Sequence, residues 1–497
     1  MTAPRWIVLV LALGLAAFAV FRLEADKRGI LQSPLTVGTT PATVYQREGA
    51  GPAPVVVIAH GFAGSRPLMQ SFALTLAQAG YIAVSFDFMG HGRNPVPMSG
   101  DVTSIDGTTT LLMDELARVA DVALALPGSD GRLALLGHSM ASDIVVRQAV
   151  RDPRVGAVVA ISMFSLAVTP DEPSNLLVVT GQWEAMLAEE AEKALRLADP
   201  SAGLGDTTGD PGQGTGRRAV LAPNVEHVGV LYSPVTLEES RAWLDSAFGR
   251  TNTGPVTERG GWVALLIVSV VALAWPLSGL LRPLRADTRP QDIPLGQFLL
   301  ACLVPAIITP LVLWPLPTSF LPVLVADYLA LHFALQGALA LLLLARIGAV
   351  RVDLGSLLLA IPVALFGIAL FGGMLDRYVA SFFPTPERFV IIAAMACGAV
   401  PYMLADATLT QGGQASFWRV LLVRTVALAS LGAAVALDFE GLLFLIIILP
   451  VILLFFILFG TVGGWVGRAT WRPAAGGIGL GLFLAWALGV TFPLFAG

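Results

Sequence analysis

A serine in a tight turn is the strongest chemical signal in this chain. Residues 135–142 read Leu-Leu-Gly-His-Ser-Met-Ala-Ser, and the patterns on either side place Ser139 where a strand ends and a helix begins. A nucleophilic serine needs such a turn, because the strained backbone lifts its hydroxyl out of the fold and the helix N-terminus faces the developing oxyanion. Gly137 and Ala141, both small, leave room for the turn. The pattern predicts that Ser139 is a nucleophile.

This turn resembles the nucleophile elbow of the α/β-hydrolase superfamily, whose pattern is G-x-S-x-G. Ala141 stands where the second glycine is usual, which asks for slightly more room between helix and strand. The resemblance covers about residues 50–250 and implies an α/β-hydrolase fold, a mostly parallel sheet with helices on both faces. It is specific for the superfamily and not for a substrate.

Two further turns are similar to superfamily motifs. Residues 60–65 read His-Gly-Phe-Ala-Gly-Ser and directly follow an apolar run. In such hydrolases the residue after the His-Gly pair and the residue after the nucleophile supply backbone N–H groups to the oxyanion hole. The resemblance therefore assigns these donors to Phe62 and Met140. Residues 87–92, Asp-Phe-Met-Gly-His-Gly, are similar to the D-x-x-G-H-G turn of the superfamily, for which we expect a structural role.

A serine nucleophile needs a base, and the chain has five histidines. His60, His91 and His138 lie inside the turns just described, and His332 lies in a long apolar span. His227 is left, after the last strand of the globular part, and this position agrees with the superfamily order of serine, acid and histidine. We therefore expect His227 to be the base.

The acid should follow the preceding strand. Residues 176–184 read Leu-Leu-Val-Val-Thr-Gly-Gln-Trp-Glu, which is similar to the family's strand followed by G-x-x-D, with Glu184 where aspartate is commoner. A glutamate can also orient an imidazole and stabilise the imidazolium. Asp171, Glu172 and Glu226 are alternative acids that the sequence leaves open.

Apolar strands alternate with helical patterns through residues 40–250. This alternation predicts a parallel sheet covered on both faces, with ligands at the carboxyl ends of its strands. The low-complexity stretch 200–216 is expected to be a flexible loop. The predicted strands are 55–59, 81–86, 132–136, 155–161, 176–180 and 218–221, and the predicted helices are 67–79, 113–126, 139–151, 184–197 and 236–248.

The charged residues are distributed very unevenly. They make up 13% of the chain, against about 25% in soluble domains, and only 20 of the 65 lie in residues 261–497. A net charge of −5 gives no basis for nucleic-acid binding. The two cysteines, Cys302 and Cys397, lie in apolar runs far from the globular part, so a disulfide scaffold or a cysteine metal site there is excluded.

The chain is predicted to begin and end with membrane segments. Residues 1–25 contain a sixteen-residue apolar run, Trp6 to Phe21, which is either a transmembrane anchor or a cleaved signal. Residues 260–497 form a predicted membrane domain of about eight transmembrane helices, each long enough to cross about 30 Å of hydrocarbon. These spans are near 262–281, 296–316, 321–345, 354–375, 389–407, 418–437, 441–465 and 476–496.

Arginines orient the predicted bundle. Eight of them flank alternate spans on one side and only two lie on the other, which assigns the first side to the cytoplasm. The hydrolase domain is then expected on the periplasmic or extracellular side. The eight are Arg282, Arg285, Arg289, Arg346, Arg351, Arg419, Arg468 and Arg472, and the two are Arg377 and Arg388.

Ionisable side chains inside the spans are costly and tend to face a cavity or a partner. Asp327, His332 and Gln336 lie on one span and are interpreted either as an interhelical hydrogen-bond cluster or as a head-group or proton site. Asp406 and Arg424 are candidates for a second pair.

Three functions fit these patterns. The first is a membrane-integrated serine hydrolase that cleaves a carboxylic ester or thioester, lipid-like in character, through an acyl-enzyme on Ser139. The second is an acyltransferase that uses the same residues with a lipid acceptor, and the third is a transporter or assembly subunit with an inactive hydrolase-like domain. The expected partners are a small ester or lipid-like substrate and membrane lipids, with no cofactor and no metal.

Overall fold

The computed structural model describes residues 2–101, 105–252, 254–281 and 290–496. The chain divides into two compact units. The sheet unit consists of Ala19–Ala264 together with two short later segments, Asp376–Ser381 and Pro493–Gly497. The helical unit consists of Met1–Phe18, Leu265–Leu375 and Phe382–Phe492.

The sheet has nine strands in the order β1-β2-β4-β3-β5-β6-β7-β9-β8. The six central strands, from β4 to β9 in that order, pair in parallel, and β1, β2 and β8 are antiparallel to their neighbours. The predicted fold class is thereby confirmed. The strands are β1 (Ile30–Val37), β2 (Thr40–Arg47), β3 (Ala53–Ala59), β4 (Ile82–Phe86), β5 (Ser129–His138), β6 (Val155–Ile161), β7 (Leu176–Gly181), β8 (Thr207–Thr208) and β9 (Arg217–Ala222).

Helices connect these strands and cover the sheet. One core cluster joins the apolar faces of two of them, with Phe72 and Leu244 packed over Ile58 and Leu136 of the central strands. Each such side chain contributes roughly 1.5–3 kcal/mol by leaving water. These helices are α2 (Gln70–Gln78), α3 (Thr110–Leu124), α4 (Met140–Arg151), α5 (Ala185–Ala198) and α6 (Pro234–Ala247), whereas α1 (Ala3–Ala25) precedes β1 and most of it belongs to the helical unit.

The outer strands were not expected from the sequence. Most of β1 is exposed and it contains Pro34, which a strand tolerates only at an edge, so β1 lacks the apolar run that marks the central strands. The stretch 200–216, expected to be a flexible loop, instead contains β8, whose two threonines pair with Arg217 and Arg218. Asp210 accepts a hydrogen bond from the N–H of Gly212 in the turn that follows.

Residues 376–381 belong to the sheet unit although they come late in the chain. Asp376 forms an ion pair with Arg93 at 2.7 Å. The backbone N–H of Ser381 donates to the hydroxyl of Ser65 at 2.8 Å. This segment therefore contacts both glycine-rich turns, the one after β3 and the one after β4.

The residues near the C-terminus also join the sheet unit. The N–H of Leu494 donates to Gly90 O, and the N–H of Met98 donates to Leu494 O, both at 2.8 Å. Gly90 has a φ of 76°, and a Cβ there would lie 2.6 Å from Leu494 O. The glycine of this turn therefore allows the late segment to approach closely.

The helical unit is built from long apolar helices. α10 continues through a π-helical stretch, Phe366–Phe371, into α11. The helices are α7 (Gly260–Ser278), α8 (Leu295–Leu313), α9 (Ala326–Arg346), α10 (Leu354–Leu365), α11 (Gly372–Tyr378), α12 (Phe389–Leu409), α13 (Phe417–Leu437), α14 (Phe439–Leu442), α15 (Leu445–Thr470) and α16 (Pro473–Thr491).

Among the described residues, nine helices are long and apolar enough to cross a membrane, so the chain fits a membrane protein. α1 is one of them and, at 23 residues, is longer than the apolar run seen in the sequence. Arg282, Arg285 and Arg289, which entered the prediction of orientation, lie outside the described residues.

The polar side chains on α9 form contacts between helices. The Nε2 of His332 lies 3.1 Å from the hydroxyl of Ser430 on α13, and that hydroxyl donates to Ala306 O on α8 at 2.6 Å. Asp327 accepts the N–H of Phe320 at 2.9 Å. The contacts of His332, Ser430 and Ala306 join three helices, whereas the Asp327 contact is with the loop that precedes α9.

Candidate active site

Ser139 lies between β5 and α4 in a strained backbone conformation. Its φ is 55° and its ψ is −121°, a region that non-glycine residues adopt only where the surrounding structure enforces it. A Cβ at Gly137 would lie 2.4 Å from Ala141 O, so this position needs glycine. Ala141 itself is fully buried, and the turn therefore accommodates its methyl group.

Ser139 is in hydrogen-bond contact with His227, although the two lie far apart in the chain. The Nε2 of His227 is 2.8 Å from the Oγ of Ser139. On the other side of the ring, Nδ1 is 2.5 Å from Oε1 of Glu184. Because an ionised carboxylate only accepts hydrogen bonds, the proton is assigned to Nδ1, which leaves Nε2 to accept the Ser139 hydroxyl proton.

Glu184, which immediately precedes α5, accepts two further hydrogen bonds. The hydroxyl of Ser162 and the N–H of Gly181 both donate to its Oε2 at 2.7 Å. Burial raises the pKa of Glu184, but the hydrogen bonds from His227, Ser162 and Gly181 outweigh burial and the net pKa lies below its ordinary value. The carboxyl is therefore ionised at neutral pH, as a partner for an imidazolium must be.

The side chains of His227 and Glu184 differ in their exposure to solvent. The His227 side chain is 43% exposed, whereas that of Glu184 is 6% exposed. The His227 ring is therefore accessible to a ligand, while the Glu184 carboxylate is shielded from water.

The alternative acids lie elsewhere. Glu226 accepts the N–H groups of Val228 and Gly229 at 2.8 Å, so it shapes the loop that carries His227. Asp171 and Glu172 are exposed in the segment between β6 and β7. Among the four candidates, Glu184 is the one in hydrogen-bond contact with the His227 ring.

The proposed oxyanion donors lie on two turns that meet at Ser139. A Cβ at Gly61 would be 2.9 Å from the Cβ of Ser139, so the turn after β3 lies directly against the nucleophile. Phe62 is the next residue on that turn. Met140 is the first residue of α4, where backbone N–H groups lack a partner within the helix.

The Asp87 turn is held by contacts within the fold. Asp87 is fully buried and accepts the N–H of Arg66 at 2.8 Å and its Nε–H at 3.0 Å. The N–H of Phe88 donates to Nε2 of His60 at 3.1 Å. These contacts fit a structural role for the turn and tie it to the oxyanion-hole turn.

Two contributors were missed by the sequence reasoning. Ser162 follows β6 without any motif, so nothing in the sequence marked it. His138 was noted only as part of the turn, but its Nε2 donates to the backbone O of His227 at 2.9 Å and the two rings lie 4.8 Å apart. Burial lowers the pKa of His138 to about 3, so it is neutral.

No group of three or more His, Cys, Asp or Glu side chains arranged to hold a metal ion occurs in the part of the chain that the structure describes.

Comparisons with known proteins bear on this region. Residues 50–200 match the model of the serine aminopeptidase S33 family. That range includes Ser139 and Glu184, and His227 lies beyond it. No curated protein matched the chain by sequence.

Several solved structures are similar over part of the chain. A dienelactone hydrolase from Anabaena variabilis is 18% identical, with 44% of this chain aligned to 98% of that one and a TM-score of 0.33. A membrane phospholipase A, described as a bacterial virulence factor, is 16% identical over 48% of this chain and 97% of that one, also with a TM-score of 0.33. A hypothetical protein from Pseudomonas aeruginosa is 13% identical over 44% of this chain and 92% of that one, again with a TM-score of 0.33. The family match over residues 50–200, on strands and turns arranged as described above, makes this part of the chain a hydrolase of the α/β-hydrolase superfamily.

Proposed function

We propose that the protein is a membrane-integrated serine hydrolase that cleaves a carboxylic ester or thioester of lipid-like character through an acyl-enzyme on Ser139. The observation that carries the proposal is the continuous set of hydrogen bonds from Ser139 through His227 to Glu184, at 2.8 and 2.5 Å. Nucleophile, base and orienting acid within hydrogen-bond reach of one another are the arrangement that activates a serine.

The steps follow from these contacts. His227 Nε2 takes the Ser139 proton as Oγ attacks the carbonyl carbon, and the N–H groups of Phe62 and Met140 stabilise the negative oxygen. The tetrahedral intermediate collapses, the bond to the leaving alcohol or thiol breaks, and that group takes the proton from His227. Water then gives its proton to His227 and attacks the acyl-enzyme, and the acid is released as the proton returns to Ser139.

Glu184 has two roles in this scheme. Its hydrogen bond to Nδ1 selects the tautomer in which Nε2 faces Ser139, and its negative charge stabilises the imidazolium that forms during each proton transfer. The hydrogen bonds from Ser162 and Gly181 keep that charge in place.

Exposed apolar side chains support a lipid-like substrate. Four of them lie on the loops after β6, β7 and β9, which also carry Ser162, Glu184 and His227, and Met186 lies at the start of α5; their exposures run from 49% to 75%. Clustered apolar exposure of this kind is typical of a surface that receives an apolar ligand. These residues, defined here as the apolar rim, are Phe164, Leu166, Trp183, Met186 and Val228.

Membrane integration is supported by the nine long apolar helices among the described residues. The arginine distribution in the sequence assigns the hydrolase domain to the periplasmic or extracellular side. The matched family is named for an aminopeptidase, so amide substrates belong in the test beside esters.

The test is labelling of the full-length protein by a fluorophosphonate probe, together with turnover of ester, thioester and aminoacyl-amide substrates. Ser139→Ala is expected to abolish labelling and to lower ester turnover by at least about a thousandfold. Ser201→Ala, at an exposed serine of the same unit, is the matched control and is expected to behave as wild type. A wild-type protein that neither labels nor turns over any substrate would indicate the inactive, transporter-like alternative.

Two further measurements sharpen the proposal. Trp183→Ser in the apolar rim is expected to raise KM for long-chain esters severalfold while leaving short-chain esters unaffected, because only a long chain reaches the rim. Equal effects on both chain lengths would contradict a lipid-like substrate. Labelling of intact cells with a membrane-impermeant probe tests the proposed side of the membrane.

A further inference from the structure

The helical unit contains a cavity of about 350 Å³ that the hydrolase chemistry does not use. It lies where α12 and α15 end and α13 and α16 begin, so it is near one end of the helices. Arg424, which lines it, is seven residues into α13, or about 10 Å along the helix axis at 1.5 Å per residue. The cavity thus reaches from the helix ends into a region that would be membrane.

Three charged side chains line this cavity: Asp406, Arg424 and Arg468. Two guanidinium groups and one carboxylate leave a net charge of +1. Arg424 lies within the apolar helices, where an ionisable side chain is costly and usually marks a binding site or an ion path, whereas Arg468 is exposed in the last turn of α15. A monoanion in the cavity would bring its net charge to zero.

The pairing of these groups is incomplete. The Nε of Arg424 lies 3.7 Å from Oδ1 of Asp406, which is an ion pair but too long for a good hydrogen bond. Arg424 Nη1 donates to Phe456 O at 3.2 Å. Within the described residues, Arg424 Nε and Asp406 Oδ1 have no hydrogen-bond partner, and Asp406 is only 6% exposed. A ligand with an acceptor oxygen in the cavity would supply the partner that Arg424 Nε lacks.

Glycines on α15 provide the space for both guanidinium groups. A Cβ at Gly460 would lie 2.4 Å from the guanidinium of Arg424, and a Cβ at Gly464 would lie 3.3 Å from Nη1 of Arg468. Gly460 and Gly464 are four residues apart on one face of the helix, about 6 Å along its axis. The two guanidinium groups therefore pack against the same face of α15, about one helical turn apart, and both line the cavity.

Exposed residues that line the cavity indicate how a ligand enters. Arg468 is exposed, and its Nη1 donates to Gly413 O at 2.6 Å, which leaves other donors of the guanidinium available. Thr461 and Phe417 also line the cavity and are exposed, the latter by 80%. The cavity therefore opens on the outer surface of the helices, where a lipid would arrive.

We propose that this cavity binds an anionic phosphate group, with Arg424 and Arg468 as its hydrogen-bond donors and Asp406 holding Arg424 in place. Guanidinium groups suit this ligand because their planar donors match phosphate oxygens in pairs. The phosphate can come from the head group of an anionic phospholipid or from free phosphate in solution, and the experiment distinguishes the two.

The experiment uses the full-length protein in phosphatidylcholine nanodiscs, with phosphatidylglycerol added to the bilayer or inorganic phosphate added to the solution. Bound phosphatidylglycerol is counted by native mass spectrometry, and phosphate binding is measured by calorimetry. Arg468→Gln is expected to weaken anion binding about tenfold, the loss of one charge-assisted hydrogen bond.

Arg419→Gln is the matched control. Arg419 lies on the same helix as Arg424 but donates to Ile293 O at 3.0 Å and does not line the cavity, so anion binding should stay at the wild-type level. Tighter binding of phosphatidylglycerol than of phosphate identifies the lipid as the source, and the reverse identifies free phosphate. Equal anion binding by wild type and Arg468→Gln would overturn the proposal.

Discussion

Two buried carboxylates, Glu184 in the sheet unit and Asp406 in the helical unit, have contrasting surroundings. Glu184 accepts hydrogen bonds from a histidine ring, a serine hydroxyl and a backbone N–H, all at 2.7 Å or less. Asp406 has one cation at 3.7 Å and an oxygen with no hydrogen-bond partner among the described residues. Both side chains are at most 7% exposed.

Glu184 is therefore preorganised by its hydrogen bonds, whereas Asp406 is incompletely paired beside a cavity. A fully hydrogen-bonded carboxylate has a fixed position and a fixed charge, which a proton-transfer site requires. An incompletely paired carboxylate beside a cavity keeps a cation in place while leaving the cation's donors available. The same residue class therefore serves chemistry in one unit and, in our proposal, binding in the other.

Replacing the preorganised carboxylate should have the largest effect. Glu184→Gln keeps the size of the side chain but removes the charge that stabilises the imidazolium, so kcat for ester hydrolysis should fall by about 10³–10⁴. The measurement is steady-state turnover of an ester by the full-length protein. Fluorophosphonate labelling should slow in parallel, because it needs the same activated serine.

Glu226→Gln is the matched control, since Glu226 lies next to His227 in the chain but contacts only backbone N–H groups. Its effect on kcat should be less than tenfold. A larger loss of kcat in Glu226→Gln than in Glu184→Gln would assign the acid to Glu226. The contrast between Glu184 and Asp406 would then no longer hold.

Replacing the incompletely paired carboxylate should affect stability. Asp406→Asn leaves Arg424 without its counter-ion, and we expect the free energy of unfolding to fall by about 2 kcal/mol, less than the 3–5 kcal/mol typical of a tight buried pair because the separation is long. Thermal unfolding in phosphatidylcholine nanodiscs measures the loss. Asp292→Asn, which breaks a pair of similar length with Arg419 (3.8 Å) in which the carboxylate is 94% exposed, should cost below about 1 kcal/mol. Equal losses in the free energy of unfolding of the two variants would show that the Asp406–Arg424 pair stabilises the protein no more than an exposed ion pair does.

His138 offers a smaller test of preorganisation. His138→Phe removes the donor to His227 O, and we expect kcat to fall three- to tenfold with KM unchanged, corresponding to one lost hydrogen bond of about 0.5–1.5 kcal/mol. His138→Gln can still donate and should recover most of the loss. A change in KM alone, or no recovery with glutamine, would assign His138 to packing instead of positioning.

The sequence predicted the parts of the fold and site that leave local patterns. The central strands are continuous apolar runs, and Ser139 lies in a turn whose small residues are legible in the chain. His227 could be selected from the sequence because the other four histidines lie in turns or in an apolar span. The structure brings Ser139, His227 and Glu184 into hydrogen-bond contact, and their catalytic roles stay predictions until turnover is measured.

What the sequence could not predict depends on distant contacts. Ser162 has no motif, and its role arises only because β6 and β7 end side by side. Leu494 joins the sheet unit through backbone hydrogen bonds, which no side-chain pattern encodes. β1 is mostly exposed, so it lacks the hydrophobic periodicity on which strand prediction relies.

The smallest expected effect is the pH dependence that Glu184 gives to stability. Its pKa in the folded protein lies below the ordinary value of 4.5, so the unfolded chain binds the proton first and stability falls as pH drops from about that value through the lowered pKa. The change is small because burial raises this pKa and offsets much of the lowering by its three donors. Unfolding of wild type and Glu184→Gln across this pH range measures it, and the variant should lose less stability on acidification. An equal loss in both proteins would show that Glu184 is not held as a charged group, which would remove its contrast with Asp406.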